Sequence, residues 1–533
     1  MYIRIKRSGS KNRPHQYLQI VESFRDGKTV RQRVIATLGR LDQLRAEGRI
    51  EGLIRSLARF SERVRVIEAA RRPDISSCKA TIWGPPLVFE KLWRQQGLPE
   101  IIERLAEGRR FSFDAGEVTF ALVLQRLMEG GSDLQGSRWL ETVEAEGFNL
   151  IELQHLYRTV GFLCEVRYDL EKQLFLKGRD LFNQTLDLIF IDTTSTYTFK
   201  EKESELFKRG YSRDNRPDLH QVVVCVALDQ KGWPIAWEIF PGNTADSKAF
   251  EQIIGKLKER FCIRRVIVVA DRGMISKDHL NLLSQGGEFS YDYIVGCRMR
   301  RQKEVSEEVL GRSGRYQEVA PHLKVKEVFI KDRRYIVCVN EEEAKRDAMV
   351  REVMVASLRQ KLEKQGAKSV VGNRGYARFI KAEKGSLRIN WEAVKRDERF
   401  DGKFVLRTTT DLSPTEVAKS YKDLWRVERT FREEKSTLQI RPIFHQRDSQ
   451  CVGHIISSFL ALRLEMGLQN ILDEKKIKVS WPEMMTDLKR LIAVRLTLDG
   501  RRYLVRTDFE GCTYKVFQAV GLKPPTIVTP LST

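Results

Sequence analysis

Five short apolar runs crowd into the stretch between residues 186 and 297, and they limit the fold more than anything else in the chain. They are LDLIFIDTTSTYTF, the two halves of HQVVVCVALDQKGWPIAWEIFPGN, IRRVIVVADRGM and YDYIVGC. Runs this short and this continuously apolar read as strands covered on both faces. Between the third and fourth lies SKAFEQIIGKLKERF, whose apolar residues recur at helical spacing. Three strands, a helix and two more strands describe a mixed α/β sheet.

Two of these runs lead into an aspartate, Asp192 and Asp271. Ligands of α/β sheets bind at the carboxyl ends of strands. A carboxylate there is costly unless it is paired, hydrogen-bonded or bound to a cation. Taken singly, each aspartate also fits an Asx-turn. A third acid comes from YKDLWRVERTFREEK, Tyr421–Lys435, which has no Pro or Gly and is expected within a helix over 413–437. Measured from Glu428, residues three, four and seven positions away share its face: Tyr421, Leu424, Trp425, Phe431, Arg432 and Lys435. Asp423, Glu433 and Glu434 point elsewhere. Taken alone, Glu428 also fits a salt bridge to Arg429 or Arg432. Three hard oxygen donors without a Cys/His cluster suit Mg²⁺ or Mn²⁺ rather than zinc. Two such ions about 4 Å apart can drive in-line phosphoryl displacement.

The net charge of +22 and pI near 9.6 select a polyanionic partner, nucleic acid before membrane. Much of the basic character lies at the start, where residues 1–75 carry 18 Lys and Arg against 8 Asp and Glu. Alternating residues around Asp26-Gly27 predict a hairpin there, and a helix is expected to follow it. The eight cysteines form no C-x-x-C pair, which argues against a zinc ribbon or a disulfide framework. The sequence has no apolar signal region and no run of 18 apolar residues, so the expectation is a bacterial cytoplasmic, nucleoid-associated protein without a membrane span. GNTADS offers Asn243 and Asp246 as further residues lining the site, or as a turn and helix cap. The basic stretch GCRMRRQKE over 296–304 offers phosphate contacts, or simply solvated charge.

Together these motifs resemble the DDE transposases of bacterial insertion sequences, with their signature Y-x2-R-x3-E-x6-K. Tyr421, Glu428 and Lys435 stand at the matching spacing, with Leu424 where arginine is usual. IFIDTTST, PGNTADSKAF, VVADRGM and STLQIRPIFH are similar to the same group. The resemblance implies a ribonuclease H-like α/β core interrupted by a strand-rich α+β insertion. It implies that Asp192, Asp271 and Glu428 hold two Mg²⁺ ions, with Mn²⁺ able to substitute, and that Tyr421 and Lys435 contact DNA near the scissile phosphate. Arg426 and Arg432 are the candidates to replace the missing arginine. The implied partners are terminal inverted repeats and target DNA, bound by a homodimer in a synaptic complex. The alternatives are a metal-dependent nuclease without strand transfer and an inactive transposase-derived DNA-binding protein. The expected organisation is a basic DNA-binding module (1–75), a helical module (76–180), the first part of the core (181–299), an insertion (300–405), the second part of the core (406–475) and a helical C-terminal region (476–533).

Overall fold

The computed structural model describes residues 1–8, 15–26, 29–58, 60, 78–182, 188–212, 215–229, 232–259, 265–270, 280, 283, 290–365, 376–383, 386–424, 442–498 and 501–531. The chain divides into two compact units: Met1–Gly84 with Trp481–Phe517 and Lys523–Thr533, and Pro85–Ser480 with Gln518–Leu522.

In the first unit, β1 (Tyr2–Ser8), β2 (His15–Asp26) and β3 (Thr29–Arg40) form an antiparallel sheet. The helices Leu41–Ala46 and Arg49–Ala58 follow it. A second antiparallel sheet joins β4 (Cys78–Ile82) to strands Ile492–Leu498, Arg501–Arg506 and Val528–Leu531. The region 476–533, expected to be helical, therefore contains three strands besides the helices Trp481–Lys489 and Thr513–Ala519. IAVRLTL alternates at period two, and its partner β4 lies some 400 residues earlier in the chain. A local reading of periodicity does not reveal such a pairing.

The second unit is built on a nine-stranded sheet. Its core comprises β5 (Leu188–Thr198), β6 (His220–Leu228), β7 (Pro234–Pro241), β8 (Arg265–Ala270) and β9 (Ser290–Gly296). In space they run β7-β6-β5-β8-β9; β5, β6 and β7 pair antiparallel, and β8 and β9 join β5 in parallel. That arrangement, with helix Asp246–Glu259 between β7 and β8, is a ribonuclease H-like fold. Ala249, Phe250, Ile253, Ile254 and Leu257 of this helix pack on Ile189, Ile191 and Cys225. Trp237 of β7 stacks on Phe459 of helix Asp448–Glu474, ring centroids 5.1 Å apart. This helix is apolar and long enough to span a membrane by composition, but 94% of its most apolar window is buried as core. It crosses helix Leu153–Phe182 so closely that a Cβ on Gly453 would lie 1.8 Å from the Val160 carbonyl oxygen. Lys256 and Glu171, both buried, tie that second helix to the sheet through a 2.7 Å ion pair and a 2.7 Å bond from the Trp237 amide to Glu171.

The segment expected as a separate insertion shares this sheet. β10 (Gln317–Ala320), β11 (Leu323–Ile330), β12 (Arg333–Asn340) and a later strand, Lys403–Thr408, extend it beyond β9. The last of these pairs directly with β9, Leu406 opposite Gly296. The remainder forms a small core of Val355, Leu358, Tyr376, Phe379 and Val394 between helices Glu341–Gln365 and Trp391–Glu398 and the hairpin β13 (Ile380–Glu383)–β14 (Ser386–Ile389). Helix Glu341–Gln365 is capped by Asn340, whose Oδ1 accepts from the amides of Glu342 and Glu343.

Candidate active site

Asp192 lies within β5, not at its end. The polar TTSTYT that follows continues the strand, paired with β6 as far as Thr198 opposite His220. Threonine is β-branched and suits a strand even where the hydrophobic run has stopped. Ile191 opposite Ala270 is the last β5–β8 pair among the described residues. Asp192 follows Ile191 directly on β5. Asp271 follows Ala270 in sequence and lies outside the described residues, as do Trp425, Arg426, Glu428, Arg432 and Lys435.

The Asp192 carboxylate is half-buried, and its Oδ1 accepts from the Thr193 amide at 2.7 Å. The Thr193 hydroxyl in turn donates to Asp246 Oδ1 at 2.8 Å. The buried Cys225 thiol, paired with Thr193 across the sheet, senses this surrounding charge. Burial pushes it well above the usual thiol range, and the negative charges of Asp192, Asp246 and Glu238 push it further. The buried Lys256 ammonium opposes them.

The described start of the Glu428 segment is helix Pro414–Lys422. A capping box opens it: Glu416 N donates to Ser413 Oγ at 3.3 Å, and Ser413 N donates to Glu416 Oε2 at 2.9 Å. The helix packs across β8, β9, β11 and β12, with Val417 and Ala418 wholly buried. Tyr421 is half-buried and stacks on Phe404, centroids 6.0 Å apart. Leu424, at the position where relatives carry arginine, is 5% exposed. A buried leucine there supplies no charge. Beyond this segment, Ile443 N donates to the Tyr197 carbonyl at 3.1 Å, and the Thr198 hydroxyl donates to the Ile443 carbonyl at 2.8 Å. The segment carrying Glu428 is therefore anchored to the sheet on one side and to the Asp192 strand on the other.

Two other expectations acquire partners. Arg300, in the basic stretch after β9, pairs with Asp397 at 2.7 Å. Asp246 opens helix Asp246–Glu259, where its charge complements the helix dipole.

A group that sequence reading missed lies nearby: Asp133, His445 and His454, all buried, with donor atoms within 4.8 Å of one another. Asp133 lies more than 300 residues before the two histidines, and no local pattern signals the group. They do not suit Mg²⁺. Imidazoles prefer softer metals, and the wholly buried Arg126 guanidinium, 2.7 Å from Asp133 Oδ1, already supplies the positive charge. Burial alone would raise the Asp133 carboxyl. The His445 ring, with Nε2 3.3 Å from Asp133 Oδ2, and the Arg126 and His454 side chains outweigh that and hold it far below the usual carboxylate range. Its chemistry is that of a buried ion pair.

Residues 183–464 match the family model of the transposase DDE domain, more than half of the chain. Residues 3–71 match that of the IS1634 family transposase N-terminal domain. No curated protein matches the chain. Among solved structures it is similar to one described as Mos1 transposase paired-end complex with left transposon end, at 15% identity and a TM-score of 0.14. That similarity covers 35% of this chain and 60% of the length of the solved one. The matched domains occupy the basic N-terminal sheet and the sheet that carries Asp192, and the chain belongs to the DDE transposases of insertion sequences.

Proposed function

We propose that this transposase binds the terminal inverted repeats of its own element, cleaves at the ends and joins the freed 3′-hydroxyls to target DNA. Asp192, Asp271 and Glu428 are the residues that would hold two Mg²⁺ ions, with Mn²⁺ able to substitute. The observation that carries this reading is the position of Asp192 on the central strand, one residue after Ile191, whose parallel partner on β8 is Ala270, with Asp271 next in the chain after Ala270. Asp192 presents a half-buried, hard carboxylate oxygen, which suits Mg²⁺.

When bound, the ions supply activation of a water or 3′-hydroxyl and neutralise the leaving oxygen. The protein's share is positioning. β5 holds Asp192 in register opposite Val226 of β6, and the Thr193 amide fixes one of its oxygens. Tyr421 and Lys435 would steady the DNA near the scissile phosphate, with Arg426 and Arg432 as further cationic contacts. Both transposon ends must be held together, so the working form is a homodimer on DNA, in the bacterial cytoplasm at the nucleoid. The direct check is incubation of the purified chain with an end-labelled duplex carrying its flanking repeat. Cutting at the repeat end with Mg²⁺, and none with EDTA, supports the reading; an intact duplex in both contradicts it.

The basic first sheet should dominate affinity for the ends. If it neutralises six to ten phosphates, binding falls by roughly 10³–10⁵ between 50 and 200 mM salt. Lys6→Ala and Arg7→Ala, both on exposed positions of β1, should each reduce the slope of log affinity against log salt by about one. Fluorescence anisotropy across a salt series reads this, and an unchanged slope in both variants would place the contacts elsewhere.

A further inference from the structure

Thr193 links two carboxylates that belong to opposite faces of the central strand. It is wholly buried, and it donates twice, from its amide to Asp192 and from its hydroxyl to Asp246. Successive strand residues face opposite sides of a sheet. Ile189, Ile191 and Cys225 face helix Asp246–Glu259, and Thr193 is paired with Cys225. The Thr193 hydroxyl therefore meets the first residue of that helix, while Asp192 faces the other side. This differs from the sequence expectation that Asp246 lines the site, because the bond to Asp246 is made on the helix side of the sheet.

We propose that Thr193 and Asp246 are positioning residues for Asp192. A β-branched side chain has few rotamers, so anchoring its hydroxyl also anchors its backbone. The anchored amide is the one that holds Asp192 Oδ1. Asp246 thus sets, through Thr193, the direction in which Asp192 offers its carboxylate to a divalent cation. The helix start makes the anchor rigid: Thr244 N closes a 2.8 Å turn onto the Pro241 carbonyl, and Ala249 N donates to Ala245 at 3.1 Å. Partners that orient a metal-holding group in this way are commonly worth about 10–100-fold in metal affinity or activity. The inference rests on the reading of Asp192 as a metal-holding acid.

The test uses the full chain and two readouts: Mn²⁺ affinity by electron paramagnetic resonance of the free ion, and Mg²⁺-dependent end cleavage. Thr193→Val keeps shape and strand preference but removes the hydroxyl, and should weaken both readouts by about 10–100-fold. Thr193→Ser restores the donor and should return both close to wild type. Asp246→Asn keeps an accepting oxygen and should also stay close to wild type, whereas Asp246→Ala should match Thr193→Val. Because the two residues act through one bond, the double variant Thr193→Val/Asp246→Ala should lose no more than either single change. Additive losses, wild-type Mn²⁺ binding by Thr193→Val, or equal damage from Asp246→Asn and Asp246→Ala would overturn the proposal. Asp192→Ala, measured alongside, separates the two levels. If it still cuts, the reading of the site fails. If it is inactive while the Thr193 and Asp246 variants behave as wild type, only the positioning role fails.

Discussion

Asp192→Ala is expected to lower Mg²⁺-dependent end cleavage by about 10³-fold or more, the scale of losing one preorganised electrostatic group at a phosphoryl-transfer centre. Binding of the uncut end should be nearly unchanged, because affinity rests on phosphate contacts made by the basic regions. Stability gives an independent readout. The wild-type site gathers negative charge around a buried thiol, so Mg²⁺ should raise the melting temperature of the wild type through linkage and leave that of Asp192→Ala unmoved. Asp271→Ala and Glu428→Ala should behave in the same way. Glu433→Ala and Glu434→Ala lie on other helix faces and should retain cleavage. If one of those two is the inactivating change and Glu428→Ala is not, the assignment by helix face is wrong.

The second large effect concerns stability. Arg126 and Asp133 are both wholly buried and 2.7 Å apart, with His445 Nε2 3.3 Å from the second carboxylate oxygen. Their net contribution against an apolar pair can be small, but removing one partner strands a buried charge. Asp133→Ala should therefore cost about 3–5 kcal/mol, read as a lower urea midpoint for the larger unit. Arg126→Leu/Asp133→Leu should recover much of that loss, and failure to recover would show that the charges themselves stabilise the fold. The pair also predicts acid sensitivity. The Asp133 carboxyl is depressed in the folded state, so its stabilisation is present above the ordinary carboxylate pKa of about 4 and fades as pH falls below it. Asp133→Asn should flatten that part of the pH–stability curve.

Much of this architecture was legible in the residues. The apolar runs predict the five core strands and their helix, all of which the structure contains. Local composition was a poor guide where partners are distant. The strand Lys403–Thr408 reads as part of an insertion until it is seen paired with β9, more than a hundred residues earlier. Asp192 reads as a strand end because hydrophobicity stops there, whereas β5 continues on threonines paired with β6. The helix face around Glu428 could be calculated from spacing alone, and the burial of Leu424 gives a physical reason for leucine at the usual arginine position. The Thr193 bridge carried no sequence signal, since Asp246 is 53 residues away and meets it only in the folded sheet.

The most direct test of the account follows the 3′-ends. The protein is incubated with duplexes carrying its flanking inverted repeats, Mg²⁺ and a target plasmid, and the products are mapped by sequencing. The predicted result is covalent joining of the repeat 3′-ends to the plasmid, lost in Asp192→Ala. Cut ends that remain free, with no plasmid joined under any metal condition, would make the protein a nuclease and contradict the central claim.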